Sequence, residues 1–190
     1  AWVTYYALKR FKNNKPVHVS TFHGLYSFPI YSKVMARVDH IISISRTVED
    51  YIKTTYKVSD NKITVIPRGC DLNEFNQEPL SQSWKDTWYE EFPQTKEKII
   101  LTIPGRITRI KGQDHFIKVI DKIVKKYPNI HGLIIGEEKS KSKYMRELTD
   151  QVKSLNLDAN ITFIGHRKDV KQIMSISRLV FSLTKVPEAF

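Results

Sequence analysis

Short apolar runs and amphipathic stretches of helical period alternate along the whole chain, and this alternation predicts an α/β protein built from parallel sheets. Two further observations sharpen the prediction. The run Ile99-Ile-Leu-Thr-Ile103 is β-branched and free of strict polar alternation, as expected of a strand covered on both faces. Strand signals also stop over residues 76–98, which divides the chain into a first block (1–75), a connector (76–98) and a second block (99–190). Right-handed crossovers are expected within each block.

The elements follow in order. Trp2, Tyr5, Tyr6, Leu8 and Phe11 recur at roughly helical spacing among Lys9, Arg10, Lys12 and Lys15, which predicts a helix that Pro16 stops. Its aromatic face suits core packing, and its basic end suits an anionic lipid surface. A strand at 17–22 runs into His23-Gly24, and a helix at 29–38 and a strand at 39–45 come next. Ser45 is placed to cap a helix reaching Tyr56, with Glu49 and Asp50 near its positive end. The strand at 62–66 is stopped by Pro67. In the connector, Trp84, Trp88, Tyr89 and Phe92 mark a short helix between Pro79 and Pro93.

In the second block, the strand at 99–103 hands over after Gly112 to a helix whose apolar face is Phe116, Val119, Ile120, Ile123, Val124 and Tyr127. The remaining elements are a strand at 131–135, a helix at 141–155, a strand at 161–164, a short helix at 169–175 and a strand at 179–183. Lys139, Lys141 and Lys143 read as a solvated face.

With 190 residues, 41% hydrophobic and 27% charged, the composition is that of a soluble globular protein. No apolar stretch approaches the roughly 20 residues of a membrane span and no signal peptide opens the chain, so a cytoplasmic location is expected. Lys and Arg number 31 against 20 Asp and Glu, a net charge of +11 that points to anionic partners: nucleotides, lipid headgroups or nucleic acid. Cys70 is the single cysteine, which excludes an intrachain disulfide and suits a bystander better than a nucleophile. The chain opens inside an apparent helix and closes just after a strand, so it reads as a fragment of a longer protein.

The segment from Gly105 to Gly112 lies where a strand becomes a helix, the place where open parallel sheets bind ligands. It holds two glycines, which allow close backbone approach, and the cations Arg106, Arg109 and Lys111, two or three of which are expected to converge on one small volume. A forked guanidinium and an ammonium near a helix N-terminus suit a diphosphate better than a single carboxylate. The spacing is neither that of a P-loop nor that of a dinucleotide fingerprint, and no hydroxyl follows Lys111 to hold magnesium. No Asp-x-Asp pattern occurs. A solvated basic loop is the alternative for this segment taken alone.

Several segments, in order, resemble the family-4 retaining glycosyltransferases of the GT-B fold: Thr21-Phe22-His23-Gly24; Ile41-Ile42-Ser43-Ile44-Ser45; Ile66-Pro67-Arg68-Gly69-Cys70-Asp71 with Phe75; Gly105-Arg106 with Lys111-Gly112; Ile161-Thr162-Phe163-Ile164-Gly165-His166; and Pro187-Glu188-Ala189-Phe190. The resemblance implies two Rossmann-like domains facing a cleft, both incomplete here. Residues 1–75 would be the second half of the acceptor-side domain and 99–190 the first part of the donor-binding domain. The implied reaction moves a sugar from a nucleoside-diphosphate-sugar co-substrate to an acceptor with retention and without a metal. Arg106 and Lys111, beside Gly105, would grip the diphosphate. Glu188 would open a Glu-x7-Glu motif beside the donor sugar, its second Glu falling at position 196, past the last residue. His23 would face the sugar from the first domain, and Gly165-His166 would lie at the nucleobase.

The nearest likeness is to bacterial enzymes of lipopolysaccharide or surface-glycan synthesis. It implies a glycan or lipid-linked acceptor, a position at the inner face of the cytoplasmic membrane, and no nucleic-acid partner. The chain by itself is expected to bind donor poorly and to be inactive. Two other readings stand beside this one: a non-catalytic GT-B homologue that binds a sugar nucleotide, and a basic nucleic-acid-binding domain, for which no recognised motif is present.

Overall fold

The computed structural model describes residues 1–11, 13–26, 28–73, 75–76, 78–137 and 143–189. Phe190, Lys139, Lys141 and the start of the helix predicted from residue 141 lie outside the described residues. The chain forms two units, each organised on a parallel sheet of Rossmann type.

The first unit comprises Ala1–Asp71 and the chain from Pro187 onward. It contains α1 (Trp2–Leu8), β1 (Val19–Phe22), α2 (Pro29–Ser32), β2 (His40–Ser43), α3 (Arg46–Tyr56) and β3 (Ile63–Val65). The strands run parallel in the order β1-β2-β3. Phe22, Ile41, Val48 and Ile52 make its core, with α3 covering the sheet through apolar positions three and four apart. Ser45 caps α3 as expected, its Oγ accepting from the Val48 amide at 3.2 Å.

Two helices are shorter than predicted. α1 ends at Leu8, well before Pro16, because the chain tightens there into three-residue turns, Arg10 to Ala7 and Phe11 to Leu8. The helix expected over 29–38 is a single α turn followed by a 3-10 turn at Lys33–Ala36. The Ser20 hydroxyl takes the Met35 carbonyl at 2.6 Å, pulling it out of any longer helical ladder.

The second unit spans Leu72–Val186. Its elements are α4 (Gln82–Glu91), β4 (Ile99–Pro104), α5 (Gln113–Val124), β5 (Ile130–Ile135), α6 (Lys143–Ser154), β6 (Ile161–Gly165), α7 (Val170–Ile176) and β7 (Ser177–Val180). All four strands are parallel, in the order β6-β5-β4-β7. Successive strand residues face opposite sides, so the apolar runs supply two cores. Leu101, Ile103 and Ile134 meet Phe116, Ile117, Ile120 and Leu148 of α5 and α6. Ile100, Leu133 and Ile135 meet Trp88 of α4 and Ile173 of α7 on the other face.

The helix predicted inside a connector is thus part of the second unit's packing. Trp88 is buried, stacks on Trp84, and donates its indole N–H to Thr95 at 2.9 Å. The last strand also differs: β7 occupies residues 177–180 rather than 179–183. Ser177 enters the sheet directly from α7 because its hydroxyl meets that of Thr102 at 2.6 Å, whereas Phe181 and Leu183 pack on the core from beyond the strand. Apolarity favoured the later residues, and a polar pair decided the register. Among the described residues, no helix is long and apolar enough to cross a membrane.

Candidate functional site

The strand order β6-β5-β4-β7 makes the chain leave β4 toward one side and return on the other, so a crevice opens at the carboxyl end of β4. The loops after three strands are tied together there. Gly105 N–H donates to the Ile135 carbonyl at 2.8 Å, Gly136 N–H to that of Gly165 at 2.9 Å, and Ile107 N–H to that of Glu137 at 3.3 Å. Gly136 must be glycine because a Cβ would run into the Gly105 carbonyl. A pocket of about 270 Å³ lies among these loops, lined by Gly105, Arg106, Gly136, Glu137, His166 and Arg167 with flanking apolar residues.

Arg106 is exposed at this pocket, and among the described residues its guanidinium has no hydrogen-bond or ion-pair partner. His166, predicted near the nucleobase, lines the same pocket, so the structure brings these two together within one unit. Gly165 takes a φ of +69° with open space where a Cβ would stand. The Lys111 stem lies against Gly105, 3.8 Å from where a Cβ would be. Gly112 has a φ of +74°, and a Cβ there would collide with the Leu183 backbone. That glycine therefore serves the turn into α5 and the passage of the chain after β7, not ligand approach.

Three cations do not converge in this loop. Arg109 turns to α6, donating from Nη2 to both oxygens of Glu147 at 2.7 and 2.6 Å and lying 5.0 Å from the Tyr144 ring centroid. The Tyr144 hydroxyl donates to Asp114 at 3.0 Å, and burial, helped by that carboxylate, pushes the phenol up to about 12. Burial acts to raise the Asp114 pKa, but Lys185, at 2.6 Å, and Tyr144 outweigh it and hold it below its ordinary value.

Arg167 lines the pocket but is engaged elsewhere. It bonds both oxygens of Asp169 at 2.9 Å and Glu91 at 2.7 Å, and the Asp169 carboxylate is the main cause of its raised pKa. Asp169 also accepts from the Trp84 indole at 3.0 Å, which fastens α4 to the turn after β6.

In the first unit, His23 is exposed just past β1, and Arg68, just past β3, donates to its Nδ1 at 3.0 Å. A guanidinium only donates, so Nδ1 is the acceptor and the ring proton sits on Nε2. Glu188 is exposed in the segment that returns to this unit. There the Ser45 hydroxyl donates to the Ala189 carbonyl, and Ala189 packs beside Gly24. Motif spacing does not single out Arg68, Glu137 or Arg167 as site residues. Each follows the carboxyl end of a strand, the position that singled out Arg106, and applying that rule to every strand would have found them.

Residues 85–190 match the family model described as glycosyl transferases group 1, over half of the chain. The chain belongs to that family. Residues 1–74 match the model described as Glycosyltransferase Family 4. The group 1 chain is 28% identical over 176 residues to an uncharacterized glycosyltransferase of Methanocaldococcus jannaschii, covering 89% of this chain and 40% of that protein. It superposes with a TM-score of 0.84 on the crystal structure of a glycosyltransferase from Rickettsia africae, at 25% identity, over all of this chain and 50% of the other. It also shares its fold with Anabaena HepE, solved in complex with UDP, at a TM-score of 0.74 and 20% identity, over 90% of this chain and 47% of that one. The group 1 chain thus spans half or less of the length of these relatives. Its two parallel-sheet units are those of a GT-B protein.

Proposed function

We propose that the protein is a glycosyltransferase that moves a sugar from a nucleoside-diphosphate-sugar donor to a glycan or lipid-linked acceptor with retention of configuration. The observation that carries this reading is the exposed Arg106 guanidinium, without a partner among the described residues, at a pocket formed by three strand ends and lined also by His166. Breaking a glycosyl phosphate bond builds negative charge on the departing diphosphate, and fixed cations at that oxygen are the largest lever a protein has. Arg106 and Lys111 supply that charge, Gly165 and His166 lie toward the nucleobase, and His23, with its Nε2–H, and Glu188 serve the donor sugar. No metal is needed in this scheme, so activity is expected to persist in excess chelator. UDP bound to HepE supports a nucleoside diphosphate as the ligand and makes UDP a suitable probe. We place the reaction in bacterial lipopolysaccharide or surface-glycan synthesis at the inner face of the cytoplasmic membrane, in keeping with the net charge of +11.

The test is titration calorimetry with UDP and with uridine. Each charge-assisted hydrogen bond contributes about 1.5 to 3 kcal/mol, so Arg106→Ala and Lys111→Ala should each weaken UDP binding roughly 10- to 150-fold and leave uridine binding intact. Arg109→Ala carries the same charge change but loses a Glu147 contact instead, and should cost far less. Equal losses for all three variants would mean a diffuse basic patch and defeat the assignment.

A further inference from the structure

Gln113, the first residue of α5, is completely buried, and the proposed sugar transfer makes no direct use of it. Its Nε2 donates to the Arg106 carbonyl at 3.0 Å, across the seven residues of the loop. Its Oε1 is buried and, among the described residues, has no hydrogen-bond partner. An amide whose oxygen is left unsatisfied is an unfavourable way to fill a buried position, since Met or Leu would occupy similar space with no polar group to satisfy. What the amide adds here is the bond to Arg106.

That bond adds to ties on either side of Arg106, while farther along the loop Lys185 N–H donates to the Ile110 carbonyl at 2.8 Å and Lys111 N–H to that of Thr108 at 2.9 Å. Gly105 and Ile107 are tied to the ends of β5 through their own N–H groups. The Arg106 backbone passes close to Gly136, 3.4 Å from where a Cβ would stand. Gln113 closes the loop from its far end, so the Cα from which the guanidinium springs is fixed relative to both the β5 end and the start of α5. A cation acts on a developing charge in proportion to how well it is placed beforehand.

We propose that Gln113 is a positioning residue for Arg106, its side-chain amide holding the loop so that the guanidinium meets the donor diphosphate. The inference rests on the reading that Arg106 grips that group. Gln113→Met keeps length and volume but removes the donor, and Gln113→Asn keeps the amide but stops one methylene short.

The experiment is a double-mutant cycle on the full protein, with UDP and uridine as probes and thermal melting to confirm folding. Losing one positioning bond should weaken UDP binding roughly 3- to 10-fold in either variant, with uridine unchanged. In the Arg106→Ala background the same change should cost less than about twofold, because its route of action is already gone. A Gln113 effect of equal size in both backgrounds, or one shared by uridine, would mean a general structural role and overturn the inference. UDP affinity unchanged by both Gln113 variants while Arg106→Ala weakens it would also overturn it, leaving the proposed function standing. No effect of Arg106→Ala itself would remove that reading, and this one with it. Should Gln113→Met fail to fold, Gln113→Asn carries the same comparison.

Discussion

Arg106 and Arg109 stand three residues apart in one loop, and among the described residues only Arg109 of the two finds an ion-pair partner. Arg109 is held by Glu147, and as a largely exposed ion pair that contact contributes at most about 1 kcal/mol. Arg109→Ala should therefore shift the urea midpoint only slightly. A second residue, His131 on β5, has no part in the proposed chemistry but should shape the pH dependence of stability. It is 1% exposed, with Nε2 at 2.8 Å from the Thr162 hydroxyl, and burial, assisted by Lys98, pushes its pKa down to about 4 from 6.5. Between those values the unfolded chain binds a proton that the folded chain refuses. Its stabilising contribution is thus complete above about pH 6.5 and lost as pH falls toward 4, up to about 3 kcal/mol in all. Urea unfolding across this range should show a steeper loss for the native protein than for His131→Leu; parallel curves would refute the assignment.

At the scale of elements, the turn from β4 into α5 depends on Gly112. Alanine there must adopt a φ of +74° and press its methyl on the Leu183 backbone. Gly112→Ala should destabilise the protein by more than about 1 kcal/mol, read as a lower urea midpoint. A neutral result would mean that the chain after β7 moves aside easily. Ser45 is the corresponding device in the first unit, where one hydroxyl accepts from Val48 and donates to the Ala189 carbonyl. Ser45→Ala should cost about 1 kcal/mol for the lost cap. Limited proteolysis should then cut the segment around Glu188 faster in the variant, since its tie to α3 is gone; an unchanged cleavage rate would show that the tie does not hold it.

For the whole molecule, the net charge of +11 should appear as salt-sensitive attraction to acidic surfaces. Vesicles containing acidic lipid should retain the protein at low salt and release it at high salt, with neutral vesicles as control. Retention on both kinds, unaffected by salt, would instead point to apolar insertion. The same charge count could not say which cations meet a ligand.

Periodicity and composition were enough for the α/β class, the parallel strands and nearly every element, because burial on one or both faces leaves a local trace in residue type. The Gly-Arg-x4-Lys-Gly loop was legible for the same reason: its glycines and cations lie close together in sequence. Partners distant along the chain left no such trace. That Arg109 answers to Glu147, that Arg167 is bound by Asp169 and Glu91, and that Gly112 makes room for Leu183 depend on which backbones the sheet brings side by side. The β7 register likewise turned on a Thr102–Ser177 hydroxyl pair 75 residues apart. Residue type announces what a side chain can do; its neighbours in the fold determine whether a charge is engaged or left facing a ligand.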